Sequence, residues 1–153
     1  MFQNQIVHIP SEVNALRCLQ ELLLYDNQYT KLPDHMFSTL TSLTTCTLSK
    51  SHLNELKSNV FISSDERLNT DSNQSMVSYH LEHLDLSRNS LLSIPALMET
   101  SLSTCLLALT CTENQLTCMP SLLTTFSKLE TLCMDHNNIV HLPEEGYAGM
   151  KST

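Results

Sequence analysis

Glycine is almost missing from this chain: two residues in 153, Gly146 and Gly149, both near the far end. Phosphate-cradling loops, dinucleotide-binding turns and nucleophile elbows need glycine where the backbone takes positive φ or meets a ligand closely. None of the three fits here. Basic residues are scarce as well, eight Lys and Arg against sixteen Asp and Glu, with no basic run. Such a surface repels a phosphate backbone rather than releasing its counterions, so nucleic acid and anionic membrane are excluded as expected partners. No apolar stretch approaches the roughly 20 residues that span a bilayer, because Ser, Thr, Asp or Glu breaks every leucine cluster. The six cysteines contain no C-x-x-C pair and no dense terminal cluster; free thiols in a reducing compartment are expected. Residues 1–10 lack the basic start and long apolar core of a secretory signal, which agrees with a cytoplasmic expectation.

Leucine, by contrast, fills 28 of the 153 positions, about twice the ordinary share. The five prolines show how it is distributed. Pro10, Pro33, Pro95, Pro120 and Pro143 follow Ile9, Leu32, Ile94, Met119 and Leu142, and six residues before each stands Asn4, Asn27, Asn89, Asn114 or Asn137. Upstream of the last four asparagines the pattern extends to L-x-x-L-x-L-x-x-N, from Leu19, Leu81, Leu106 and Leu129, with Cys111 and Met134 replacing the third leucine in the last two. A degenerate copy runs Leu43, Cys46, Leu48, Ser51, with serine in the asparagine place and Lys57 in the proline place. The asparagine positions are then 23, 24, 38, 25 and 23 residues apart. The x-x-L-x-L-x-x core alternates at period two, the signature of a short strand with its leucines inward.

Five copies in one phase resemble the leucine-rich-repeat family over almost the whole chain. The resemblance implies an α/β-type solenoid: an arc with a parallel concave β-sheet and an irregular, 3₁₀ or short-helical convex side. It implies one domain of five to six repeats over 1–153, with strand cores near 19–27, 43–51, 81–89, 106–114 and 129–137. It further implies that Asn4, Asn27, Ser51, Asn89, Asn114 and Asn137 form a ladder of buried side chains, each satisfying backbone groups whose burial unpaired would cost roughly 1–3 kcal/mol. Proline carries the chain to the convex side, where Val13, Leu16 and Leu19, Phe37 and Leu40, and Leu123, Phe126 and Leu129 recur at spacings of about three, as in 3₁₀ turns. The long interval is one repeat plus an insertion, residues 63–77, whose Ser, Asn and Asp content predicts a solvated loop. Both ends fall mid-repeat, so the chain reads as a piece of a longer array.

The residues alternating with the core leucines predict the concave face. Among them Glu21, Tyr25, Asp26, Lys50, Glu82, Asp85, Arg88, Glu113, Glu130, Asp135 and His136 are the expected contacts of a protein partner with a basic or mixed surface. Seven carboxylates against two cations give them a net charge of about −5, which steers such a partner inward. No catalytic residue, cofactor or metal is expected: paired carboxylates such as Glu82 with Asp85 stand in water, and His80 and His83 lack ligand spacing on a strand. The functional expectation is a non-catalytic interaction scaffold or adaptor of signalling type. Its alternatives are a fragment of a receptor ectodomain, since Leu32 to Leu40 and Val60-Phe61 are similar to receptor repeats, or the recognition arm of an enzyme such as a ubiquitin ligase or kinase.

Overall fold

The computed structural model describes residues 4–61, 79–95, 102–119 and 126–140. Five strands, β1 (Glu21–Leu23), β2 (Thr45–Thr47), β3 (His83–Asp85), β4 (Ala108–Thr110) and β5 (Thr131–Cys133), form one parallel sheet in chain order. Parallel neighbours cannot be joined by a tight turn, so after each strand the chain must travel back across the opposite side. The described residues of that return layer include 3₁₀ turns at Ser11–Ala15 and Ser58–Val60 and a four-residue helix, α1 (Met36–Thr39). The molecule is therefore a solenoid with a sheet on one side and short helical turns on the other. The insertion 63–77 and Leu123 lie outside the described residues.

Register fixes the core. Leu22, Cys46, Leu84, Leu109 and Leu132 are aligned across the five strands. One inward step on, Leu24, Leu48, Leu86 and Cys111 are buried and Met134 half-buried; beyond the turn come Tyr29, Leu53, Leu91 and Leu116. Each coil buries its leucines mainly against its neighbours, so end coils bury less: Leu22 and Leu132 are half-buried while Leu84 and Leu109 are fully buried. The same cause corrects one expectation. Leu16, expected inward, is 51% exposed, whereas Leu40, three residues before its strand leucine like Leu16, is buried inside the stack.

The asparagines tie successive coils together. Asn89 Oδ1 accepts the Leu53 N–H at 3.1 Å, and its amide lies 3.0 Å from the Leu48 carbonyl and 2.9 Å from that of Leu86. Asn114 repeats the arrangement with the Leu91 N–H and the Leu86 and Cys111 carbonyls. Asn137 does so with the Leu116 N–H and the Cys111 and Met134 carbonyls, and Asn27 accepts from Ile6 while donating to Leu24. Asn4, at the start of the described coils, is exposed.

Ser51 departs from this rule, because its hydroxyl is too short to span two coils and reaches the Ser49 carbonyl at 3.5 Å. The carbonyls an asparagine there would serve, by analogy with Asn89, are Leu24 and Leu48. Both instead lie 3.3 Å from the Tyr29 hydroxyl, which shares its one proton between them and also hydrogen-bonds Ser51. Tyr29 is fully buried. A phenol from the preceding coil and a serine together replace one ladder amide.

The turn after each strand has a second regularity. Asp26, Lys50, Arg88, Glu113 and His136, each the residue before a ladder position, all have φ between 52° and 58°. The left-handed region costs a non-glycine residue roughly 1–2 kcal/mol, and here it turns the chain so that the next side chain enters the core. The 38-residue interval leaves the stacking intact: β2 pairs with β3, the Phe37 and Phe61 rings stack with centroids 5.1 Å apart, and the Tyr79 hydroxyl donates to the Phe61 carbonyl. The insertion's two stems are thus tied together at its base.

Candidate interaction face

The outward positions of the five strands make two aligned rows. Glu21, Thr45, His83, Ala108 and Thr131 form one; Leu23, Thr47, Asp85, Thr110 and Cys133 form the other. These side chains are short or β-branched in most positions, and a branched Cβ suits a pleated, half-exposed surface. Preceding them at the N-terminal edge come Gln20, Thr44, Glu82, Leu107 and Glu130; following them at the C-terminal rim come Tyr25, Ser49, Ser87, Thr112 and Asp135, then the five left-handed residues.

The expected contact residues fall into two groups. Glu21, Glu82 and Glu130 are exposed along the N-terminal edge, and they belong to alternate coils. Threonines or Leu107 and Ala108 stand between them, so neighbouring carboxylates are about 10 Å apart at the spacing of two strands. The remaining charges gather at the rim. There Lys50 Nζ is 3.1 Å from Asp26 Oδ2 and Arg88 Nε is 3.0 Å from Glu113 Oε1, while Asp135 and His136 are exposed on the last described coil. Asp85 belongs to neither group. Half-buried, it accepts the Ser87 N–H at 2.9 Å and the Ser87 hydroxyl at 2.6 Å through the same oxygen, and so braces the turn.

A groove of about 470 Å³ opens at the rim across the coils of β1 to β4. Of the expected contacts it brings together Tyr25, Lys50, Arg88 and Glu113, and it adds Ser49, Ser87, Thr110 and Thr112. These four hydroxyl residues have the right phase in the sequence but carry no charge, so charge counting passes them over. Their chemistry emerges only when adjacent coils are aligned.

Two other groups of residues are placed by the fold. His80 Nδ1 lies 2.8 Å from the Thr41 carbonyl, outside the strands, and among the described residues no three His, Cys, Asp or Glu side chains are arranged to hold a metal ion. All six cysteines are free thiols: Cys46 and Cys111 are buried in leucine positions, Cys18 and Cys118 are exposed, and Cys105 and Cys133 are intermediate. Burial pushes the Cys111 thiol from its ordinary 9.0 up to about 12, with the nearby Asp85 charge adding to it; Cys46 is raised for the same two reasons.

Residues 80–100, which include β3 and the most regular repeat, match the family model described as Leucine Rich Repeat. Among curated proteins none matches the chain. Among solved structures, a leucine-rich-repeat protein of Leptospira interrogans superposes with a TM-score of 0.74 at 25% identity, over 92% of this chain and 31% of that one. The chain thus spans about a third of that protein's length.

Proposed function

Because the chain is a leucine-rich-repeat solenoid, built to present a sheet rather than a cleft, we propose that it is a protein-interaction scaffold holding its partner on the concave face. The residues expected to make that contact are those of the two groups: the carboxylate edge of Glu21, Glu82 and Glu130, and the mixed rim from Tyr25 and Asp26 to Asp135 and His136. One observation carries the reading. The outward rows end in three exposed carboxylates at an edge whose only other ionisable neighbour in the two flanking rows is His83. A fixed row of like charge on a rigid sheet attracts a basic or mixed partner surface and orients it before contact.

A cytoplasmic, signalling-type setting is part of the proposal, and the thiols support it. Cys46 and Cys111 serve as core side chains in leucine positions, a role that fits cysteine as a small hydrophobe better than as half of a bridge. Thiol titration of the unfolded, unreduced protein from its native source should return six reactive groups. Fewer than six would move the proposal to an extracellular receptor fragment, as would a glycan on Asn73, which heads the acceptor sequence Asn73-Gln74-Ser75.

The binding reading is tested by affinity capture with the wild type beside a Glu21→Lys, Glu82→Lys, Glu130→Lys variant. Proteins lost from the variant, and lost from the wild type as salt rises through the range where the screening length falls below about 10 Å, are the expected partners. Identical capture by both baits would remove the acidic edge from the interface. Asp85→Lys is a poor probe, since it would also break the Ser87 turn.

A further inference from the structure

We infer that the notch between Lys50 and Arg88 receives one carboxylate side chain of the bound protein, so that the concave face selects its partner by two opposite charge rules. This rests on reading that face as the binding surface.

The argument starts from the rim column. In coil order its charges are negative at Asp26, positive at Lys50 and Arg88, and negative at Glu113. The Lys50 N–H donates to the Ser87 carbonyl and the Arg88 N–H to that of Thr112, so the rim backbones continue the parallel sheet past the strands. Lys50 and Arg88 are therefore adjacent, at the roughly 5 Å strand spacing, and like charges placed directly side by side on a sheet repel. Each cation relieves this by leaning outward, Lys50 to Asp26 and Arg88 to Glu113. Between them the column lacks one negative group.

The surroundings fit that group's chemistry. Ser49, Thr110 and Thr112 supply hydroxyls along the groove, and Tyr25 adds a phenol at its edge. Both cations are exposed, 56% for Lys50 and 59% for Arg88, and surface ion pairs hold their partners weakly enough to exchange them. An incoming carboxylate completes an alternating row, Asp26, Lys50, the new group, Arg88, Glu113. A doubly charged phosphate fits less well, because Asp26 and Glu113 already hold one carboxylate against each cation. A partner so recognised carries basic residues where it meets Glu82 and Glu130 and an Asp or Glu where it crosses the rim.

The test uses the whole chain and two blocked five-residue peptides, one alternating glycine with glutamate and one alternating glycine with lysine. Each is titrated at low salt into the millimolar range expected of single ion contacts, with backbone amides followed by ¹H–¹⁵N spectra. The glutamate peptide should give saturable shifts at Ser49, Lys50, Ser87 and Arg88. K50Q and R88Q should each weaken it, and the double variant should abolish it, while spectra away from the notch superimpose on wild type. Absence of saturable shifts there, or shifts that survive in the double variant, would overturn the proposal. The lysine peptide should instead perturb the amides around Glu82 and Glu130. Its failure alone would count against the acidic edge and not against the notch.

Discussion

At the scale of single residues, Tyr29 is the position on which the stack depends in the least obvious way. At Asn27, Asn89, Asn114 and Asn137 one asparagine serves at least two carbonyls and one N–H, whereas the Ser51 coil borrows a phenol from the coil before it. Tyr29→Phe keeps the ring and removes only the hydroxyl, leaving the Leu24 carbonyl to the Asn27 amide and the Leu48 carbonyl to the Asn89 amide. A loss of roughly 0.5–1.5 kcal/mol should follow, the usual net worth of one hydrogen bond whose acceptors keep other donors. The informative variant is the pair Tyr29→Leu with Ser51→Asn, which rebuilds the Leu-and-Asn arrangement seen at Leu53 and Asn89. Urea unfolding should show Tyr29→Leu and Tyr29→Phe both destabilised and the double variant restored toward wild type. If the double variant is no better than Tyr29→Leu alone, the phenol is filling space rather than replacing an amide.

At the scale of the element, the repeated unit is a three-residue strand and a left-handed turn, and only the first half is written plainly in the sequence. The strand is legible because alternation and the 23–25-residue spacing are carried by residue type. The turn is not, because Asp26, Lys50, Arg88, Glu113 and His136 share a position and a φ but no chemistry. Tyr29 escaped for a related reason: its partners are set by stacking of coils, and the residue it supports lies 22 positions later in the chain. The notch is half legible, since its charges follow from phase while the placing of Lys50 beside Arg88 depends on closing over the long insertion. The turn can be weighed by replacing Arg88 with glycine and with valine. Both lose the Glu113 pair, whose worth at the surface is at most about 1 kcal/mol. Glycine accepts positive φ freely while a β-branched residue resists it most. Arg88→Val should therefore be less stable than Arg88→Gly by about 1–2 kcal/mol in urea unfolding, and equal stability would mean the turn relaxes without penalty.

For the whole molecule, stability is the sum of coil interiors and the seams between them, and three of those interiors contain an ionisable group held neutral by burial. Tyr29, Cys46 and Cys111 are all pushed up, Cys111 to about 12. Their neutral form is the protonated one, so the folded chain keeps these protons at pH values where the unfolded chain has released them. The stabilisation is complete below the ordinary thiol value of 9.0 and is lost as pH climbs from there toward about 12. Unfolding then releases protons and becomes easier with each step in pH, approaching about 1.4 kcal/mol per unit for each thiol fully ionised in the unfolded state. Urea midpoints measured under reductant should be flat from pH 7 to 8.5 and fall steeply by about pH 10. Cys46→Ala with Cys111→Ala lowers stability at every pH by opening small cavities, but its decline above pH 9 should be distinctly shallower, leaving Tyr29 and the half-buried Cys105, whose thiol burial also pushes up, as the remaining contributors. A decline of unchanged slope in that variant would show that the core thiols are not what alkali attacks.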